Sequence, residues 1–185
     1  MVDRKRAENA VRELLAAIGE DSSREGLRET PERVARMLEE LTAGYADSAE
    51  EHLGKTFAES GSALVIERDI AFSSTCEHHL MPFFGRVHIA YVPDGKVAGL
   101  SKLARTVEVY ARRLQLQERM NAQIADAIYR HLAPKGVAVV VEAEHTCMTA
   151  RGVKKTGSST VTCAVRGEIS DGVVAQLLSY TGERK

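Results

Sequence analysis

Cysteine and histidine residues in two distant segments constrain the fold of this chain more than any other feature. The first segment carries Cys76, His78 and His79. The second carries His145 and Cys147. Thiols and imidazoles at these spacings are typical of a transition-metal site. The fold must therefore bring two remote parts of the chain together.

The spacing within each segment predicts its local structure. Cys76 and His79 stand three residues apart, so a tight turn is needed to aim both at one ion, because a straight strand would send them to opposite faces. His145 and Cys147 stand two apart and follow the apolar run 137–141, which predicts a buried strand whose alternate side chains share a face. We therefore predict a turn for the first segment and a strand for the second.

The two segments offer more metal ligands than zinc needs. Zinc prefers four tetrahedral ligands, and a structural site fills all four with protein. If Cys76, His79 and Cys147 supply only three, a water molecule takes the fourth place and becomes acidic enough to attack a substrate. His78 and His145 would then be free for proton transfer. The surplus histidines favour this catalytic zinc site, but spacing alone leaves a structural Cys2His2 site open.

Composition excludes several classes of protein. The chain has 185 residues, 44% of them hydrophobic, which suffices for one core and does not demand two full domains. Its 25 Lys and Arg balance 26 Asp and Glu, for a formal net charge of -1, so no overall basic field draws it to nucleic acid or acidic lipid. No apolar stretch is long enough to span a bilayer. We expect a cytoplasmic protein that binds neither nucleic acid nor membrane.

Three cysteines without framework spacing suit a reducing compartment, where thiols bind metal instead of pairing. Cys163 is left over from the metal set, and its apolar surroundings predict a small buried hydrophobe. His52, His88 and His131 are assigned no function.

The N-terminal part of the chain has helical periodicity. Apolar residues between positions 7 and 18 recur at helical spacing and predict an amphipathic helix. Thr30 before Pro31 predicts the N-cap of a second helix, which Gly44 closes. We expect these helices to form a hairpin, followed by a weak pattern over residues 46–61.

The rest of the chain alternates strand and helix patterns. Residues 64–72, 87–91 and 96–100 predict strands of a meander, and Ser101 predicts a helix cap. Further helices are predicted up to residue 132 and around residues 174–178, and strands over 137–141 and 159–169. The order of helices, strands, helices and strands indicates an α+β fold, with an antiparallel sheet and helices packed on one face.

Several short motifs occur in order between residues 30 and 169. They are Cys-Glu-His-His at 76–79, Pro-Phe at 82–83, Gly-Arg-Val-His-Ile-Ala-Tyr at 85–91, Gly-Leu-Ser-Lys at 99–102, Gln-Glu-Arg at 117–119 and His-Thr-Cys-Met-Thr-Ala-Arg-Gly at 145–152. Together they closely resemble the GTP cyclohydrolase I family, and they are more specific than any single metal pattern. The resemblance implies a tunnelling fold (T-fold), assembled into a homodecamer with active sites at subunit interfaces. It divides the chain into an N-terminal helical region, 1–60, and a catalytic T-fold domain, 61–185.

The resemblance also implies a reaction. It assigns zinc to Cys76, His79 and Cys147, and catalytic roles to His78 and His145. The family opens the imidazole ring of the GTP purine: water adds at C8, formate leaves, and the ribose carbons close into the pterin ring of 7,8-dihydroneopterin triphosphate. His145 would give a proton to purine N7, and His78 would handle protons at the ribose.

A set of substrate contacts follows from the same resemblance. The residues implied to bind GTP are Ser101, Lys102, Arg105, Gln117, Glu118, Arg151 and Arg36. Glu118 would accept the N1 and 2-amino hydrogens of guanine, although without the resemblance it reads as a solvated carboxylate or an ion pair with Arg119. The cations would bind the triphosphate, and Arg36 falls where the family can carry lysine. A zinc-stabilised scaffold protein and an enzyme acting on a different purine or pterin remain alternatives.

Overall fold

The structure is a computed structural model that describes residues 2–61 and 63–182. The helices are α1 (Arg4–Ala17), α2 (Thr30–Leu41), α3 (Ala49–Leu53), α4 (Leu100–Ala111), α5 (Gln117–Leu132), α6 (Thr146–Thr149) and α7 (Asp171–Ser179). The strands are β1 (Thr56–Ala58), β2 (Val65–Cys76), β3 (Pro82–Val92), β4 (Lys96–Ala98), β5 (Leu114–Gln115), β6 (Gly136–His145) and β7 (Thr160–Gly167).

Five strands form the central sheet, in the order β5-β2-β3-β6-β7. All neighbours are antiparallel except the short strand β5, which pairs in parallel with the end of β2. Helices α4 and α5 pack on one face, where Val87, Ile89 and Val139 are fully buried in the main core. The predicted α+β class is confirmed, with α4 and α5 packed on one face of a mainly antiparallel sheet.

The opposite face of the sheet is covered in part by α7. Ala90 and Val140 point to this face, as the alternation along β3 and β6 requires, and Leu177 of α7 packs on them. This second, smaller core ties the C-terminal helix to the centre of the sheet.

The N-terminal hairpin forms as predicted, since α1 packs along α2. Thr30, however, is the first residue of α2, and Glu29 occupies the cap position without a side-chain hydrogen bond. Pro31 still lies in the first turn, where its missing N–H costs nothing. Gly44 lies in a short 3₁₀ turn after α2, and a Cβ there would come within 2.3 Å of the Val109 carbonyl oxygen. Close packing on α4 therefore requires glycine here.

The predicted meander is wrong at its last strand. Strand β4 leaves the main sheet and pairs antiparallel with β1, so that Thr56 stands opposite Ala98. The sequence did not indicate β1 or α3, because elements of three and five residues are too short to display a period. Helix α3 also packs on α4, so this part of the predicted N-terminal region contacts the rest of the chain. The division at residue 60 stays a prediction.

Cys163 is exposed, contrary to the expectation of burial. It lies on β7, an edge strand, whose residues alternate between half-buried and exposed. Helix α5 covers one face of β7, and Cys163 shares the other face with the exposed Val161 and Val165. Apolar composition alone did not reveal that this face lacks a cover within the described chain. Within residues 2–61 and 63–182, no helix has the length and apolar character needed to cross a membrane.

Candidate metal and nucleotide site

The first segment with candidate metal ligands is the tight turn between β2 and β3, as predicted. The Cys76 N–H donates to the Met81 carbonyl at 2.8 Å, and the Leu80 N–H donates to the Cys76 carbonyl at 2.8 Å. Leu80 has a positive φ of 54°, which lets the chain reverse direction. The turn brings Nδ1 of His79 to 3.8 Å from Sγ of Cys76.

The second segment differs from the prediction. Strand β6 ends at His145, and Cys147 lies in the short helix α6, so the two side chains do not share a strand face. The hydroxyl of Thr146 donates to the Pro82 carbonyl at 2.6 Å and anchors this helical turn to the start of β3. The chain thus leaves the sheet two residues earlier than periodicity indicated, yet Cys147 still reaches the first segment.

Cys76, His79 and Cys147 form a group whose ligand atoms all lie within 4.8 Å of one another. Donors around a tetrahedral zinc ion are separated by about 3.6–3.8 Å, given metal–ligand distances of about 2.0–2.3 Å, so the group fits zinc with a small adjustment. Two thiols and one imidazole also suit zinc chemically. Burial and the neighbouring Cys76 thiol raise the pKa of Cys147, and Arg151 opposes this shift. A tetrahedral ion held by these three donors alone would have one coordination position left for another ligand.

His145 lies beside this group but is held by other contacts. Its ring stacks on Phe83, its partner across the sheet, with centroids 4.6 Å apart and planes at 6°. Its Nε2 lies 2.8 Å from Oε1 of Gln117. Burial lowers the pKa of His145, while the carboxylate of Glu118 opposes the shift. His78 is exposed on the metal-binding turn, its ring centre 6.1 Å from that of His79.

The first turn of α5 sends three consecutive side chains in three directions. Gln117 is only 1% exposed and donates to the carbonyls of Val141 and Thr160 at 3.1 and 2.9 Å. Glu118 is exposed and lies near enough to His145 to influence its pKa. Arg119 donates to both carboxylate oxygens of Glu77, in the metal-binding turn. Gln117, predicted as a substrate contact, therefore has its amide engaged inside the protein.

The predicted phosphate contacts do not all lie near the metal group. Arg151 is close enough to Cys147 to affect its pKa. Ser101, Lys102 and Arg105 lie instead in the first half of α4, which begins beside β4. This helix of 12 residues, about 18 Å long, runs back towards β5, which pairs with β2 at Thr75 and Cys76. The start of α4 is thus at the opposite end of the sheet from the metal group.

Two further details of this set concern Ser101, whose predicted capping role is wrong, and Arg36. Ser101 does not cap α4. The cap position belongs to Gly99, which has no side chain to accept a hydrogen bond from the helix. Arg36 lies on α2, in the N-terminal hairpin, where its guanidinium is 3.4 Å from a carboxylate oxygen of Glu32.

Sequence reasoning missed one cation, Lys55. It precedes β1, whose pairing with β4 carries it to the start of α4. Partial desolvation lowers the pKa of Lys102, and the charges of Arg105 and Lys55 lower it further. These three side chains therefore form one positive cluster, which we call the α4 cation cluster. Lys55 lies in a segment without clear hydrophobic periodicity, so the sequence did not indicate it as a candidate. Only the β1–β4 pairing reveals its position.

The fold and the site together define an α+β protein with a Cys-His-Cys group that could hold a metal ion at one end of an antiparallel sheet. The family model described as GTP cyclohydrolase I matches residues 7–179. The chain belongs to this family and is an enzyme of the hydrolase class.

Its relatives are similar over nearly their whole length. GTP cyclohydrolase 1 of Clostridium kluyveri is 59% identical over 166 residues, covering 90% of each chain. The enzyme of the same name from Carboxydothermus hydrogenoformans is 57% identical over 177 residues, covering 95% of this chain and 92% of its own. That from Streptococcus sanguinis is 56% identical over 169 residues, covering 91% and 92%. A solved QueF-like archaeosine synthase in its apo form has 20% identity and a TM-score of 0.49, over 60% of this chain and 100% of its own, and is too distant to inform function.

Proposed function

We propose that this chain catalyses the zinc-dependent hydrolytic opening of the GTP purine ring, with release of formate and rearrangement to 7,8-dihydroneopterin triphosphate. The observation that carries the proposal is the three-donor group of Cys76, His79 and Cys147 beside His145 and Glu118. Membership of a family named for GTP cyclohydrolase supports the choice of GTP. The thiols of the group require a reducing compartment, in keeping with a cytoplasmic enzyme.

Cys76, His79 and Cys147 would hold the metal ion. When bound, zinc supplies a Lewis acid and makes water a usable nucleophile near neutral pH. The structural Cys2His2 alternative needs His145 or His78 as a fourth ligand. The contacts of His145 with Gln117 and Phe83 favour the three-ligand arrangement, because they hold its ring outside the group.

Three other residues at this end of the sheet would recognise the base and transfer protons. Glu118 would accept the N1 and 2-amino hydrogens of guanine, a pair that adenine cannot offer. His145 would give a proton to purine N7 as water adds to C8. His78, exposed on the same turn, would move protons at the ribose while the sugar carbons rearrange.

The triphosphate would be bound by Ser101, Lys102, Arg105, Arg151 and Arg36. Guanidinium and ammonium groups suit phosphate oxygens, and several must converge to balance the charge. Replacing Arg151 with alanine should raise KM for GTP strongly. An unchanged KM would remove Arg151 from the site.

We propose further that the complete site forms between copies of this chain in a homo-oligomer, which the family resemblance makes a decamer. The separation of the α4 cation cluster from the metal group supports this arrangement, because Lys102 and Arg105 lie in the first half of α4 and only its other end approaches β5 and Cys76. One chain would supply the metal group and Glu118, and a neighbouring chain would supply part of the phosphate set. The exposed apolar residues Val161 and Val165 on edge strand β7 are compatible with such contacts.

The proposal is tested by incubating the protein with GTP and measuring formate and bound metal together. Formate should appear in proportion to zinc content, and a fluorescent pterin should follow after oxidation. Chelation should abolish formate release yet leave the circular dichroism largely intact, because the core is extensive without metal. Loss of the fold on chelation, with no turnover of GTP before it, would favour the scaffold alternative.

A further inference from the structure

The side chain of Gln117 is the most enclosed polar group next to the metal site. It is 1% exposed and lies between α5, the end of β6 and the start of β7. Its Nε2 lies 3.1 Å from the Val141 carbonyl, 2.9 Å from the Thr160 carbonyl and 3.2 Å from the Thr162 hydroxyl. Its Oε1 lies 2.8 Å from Nε2 of His145.

These contacts determine which way the amide points. Carbonyl oxygens only accept hydrogen bonds, so the group that faces Val141 and Thr160 must be the NH₂. The opposite orientation would set the Gln117 oxygen against two carbonyl oxygens at hydrogen-bonding distance, with no hydrogen between them to share. Oε1 therefore faces His145, and it too can only accept.

The proton position on His145 follows from the amide. Because Oε1 of Gln117 has no hydrogen to give, Nε2 of His145 must be the donor in this contact. The neutral ring then carries its hydrogen on Nε2 and leaves Nδ1 as the nitrogen with a free lone pair. Stacking on Phe83 fixes the plane of the ring, so the hydrogen bond to Gln117 and the stack together define both tautomer and orientation.

We propose that Gln117 is a positioning residue, which holds His145 with hydrogen on Nε2 so that Nδ1 is the nitrogen presented to the substrate. This inference relies on the proposed function at one point, which is the identity of the molecule that faces Nδ1. It replaces direct contact with GTP, the role implied by sequence resemblance, with an action through His145. Nδ1 would then take up the proton that water loses as it adds to C8 and pass it to purine N7, because Nε2 is committed to Gln117.

The test combines a spectroscopic and a kinetic readout on the zinc-loaded protein. Solid-state ¹⁵N NMR of protein with labelled histidine distinguishes protonated from unprotonated ring nitrogens, and His145→Gln identifies the signals of His145. Wild-type protein without GTP should show hydrogen on Nε2. In Gln117→Met, which keeps the length but not the acceptor, the signals should shift towards a mixture of tautomers. We expect kcat to fall by roughly 10- to 100-fold, with KM for GTP little changed and zinc content the same.

Two further variants separate positioning from packing. Thr162→Val removes a hydroxyl near Nε2 of Gln117 without touching His145, and it should leave the His145 signals and kcat unchanged. Gln117→Glu keeps an acceptor towards His145 and loses the donors, so Nε2 should stay protonated and kcat should exceed that of Gln117→Met. If Gln117→Met does not fold, the NMR and kinetic measurements on Gln117→Glu serve as the test.

The proposal is overturned if wild-type His145 carries hydrogen on Nδ1 alone, or if Gln117→Met raises KM and spares kcat. The first result contradicts the amide orientation, and the second indicates a direct substrate contact. Failure of the wild-type protein to release formate would instead contradict the proposed function. It would leave the NMR result standing, since that measurement uses no nucleotide.

Discussion

The guanidinium of Arg119 donates hydrogen bonds to both carboxylate oxygens of Glu77, and so joins helix α5 to the turn that carries Cys76 and His79. Nε of Arg119 also donates to Oε1 of Gln115 at 3.1 Å, and the Glu77 N–H donates to the Gln115 carbonyl at 3.1 Å. The turn is thus held from two sides. Such contacts around metal ligands orient the ligands and raise their affinity for the ion.

We predict that Arg119→Gln lowers zinc affinity by roughly tenfold or more, because the metal-binding turn loses its two-pronged contact. Arg119→Lys should recover only part of the loss, since an ammonium cannot form the parallel pair of bonds. Competition with a chelator of known affinity measures the effect. Arg112→Gln is the matched control, because Arg112, the residue after α4, pairs with Glu108 in that helix. Equal zinc affinities for wild type and Arg119→Gln would contradict the prediction.

Glu118→Gln should reduce the preference for GTP over inosine triphosphate, which lacks the 2-amino group. A carboxylate can accept both guanine hydrogens, whereas an amide offers one acceptor and one mismatched donor. We expect kcat/KM for GTP to fall by about 10²-fold or more, and that for inosine triphosphate to fall less. Competition between the two nucleotides measures the ratio directly. Glu144→Gln, a charge loss near the end of β6, serves as the control, and an unchanged ratio in Glu118→Gln would exclude guanine reading by Glu118.

Lys55→Ala should raise KM for GTP about three- to tenfold, with kcat nearly unchanged, if the α4 cation cluster binds the triphosphate. The reason is the loss of one of the positive charges near Lys102 and Arg105. The rise should shrink at high salt, because the lost attraction between exposed charges is screened. Lys5→Ala, an equal charge loss on α1, is the control. Equal KM values in both variants would place the triphosphate elsewhere.

His88 makes a separate prediction about stability. It is 1% exposed on the face of the sheet opposite α5; its Nδ1 accepts the Asp69 N–H at 3.2 Å, and its Nε2 has no hydrogen-bond partner among the described residues. Burial lowers its pKa from the ordinary value of 6.5. The groups around it are Asp69 and Glu142, which raise its pKa, Arg86 and Arg68, which lower it, and the ring of Tyr180 from the end of α7.

Because the pKa of His88 is lower in the folded than in the unfolded chain, the unfolded chain binds the proton first as pH falls. The free energy of unfolding is therefore not reduced by protonation of His88 above about pH 6.5. It decreases as pH falls from there through the pKa of His88 in the folded chain. His88→Gln should lose less free energy of unfolding than wild type between pH 7 and pH 5. Urea unfolding of metal-free protein at a series of pH values measures the difference, and parallel curves for the two proteins would refute it.

Much of the fold followed from local patterns. The long strands β2, β3 and β6 and the helices α1, α2 and α5 each have a hydrophobic period that identifies them without knowledge of their neighbours. The same holds for the tight turn at Cys76 and His79, since three-residue spacing has few solutions that serve one ion. Short elements such as β1 and α6 escaped prediction, because they form where distant contacts, such as Thr146 to Pro82, stabilise them.

The sequence alone determined the donor types of the metal site, because coordination chemistry limits the choice of side chains and their spacing within each segment. It also identified the family through ordered motifs. Only the tertiary structure decided that Gln117 contacts His145, that Arg119 binds Glu77, and that Lys55 lies near Lys102. These relationships depend on which strands pair and which helix lies over them, and pairing between remote segments is a property of the whole folded chain.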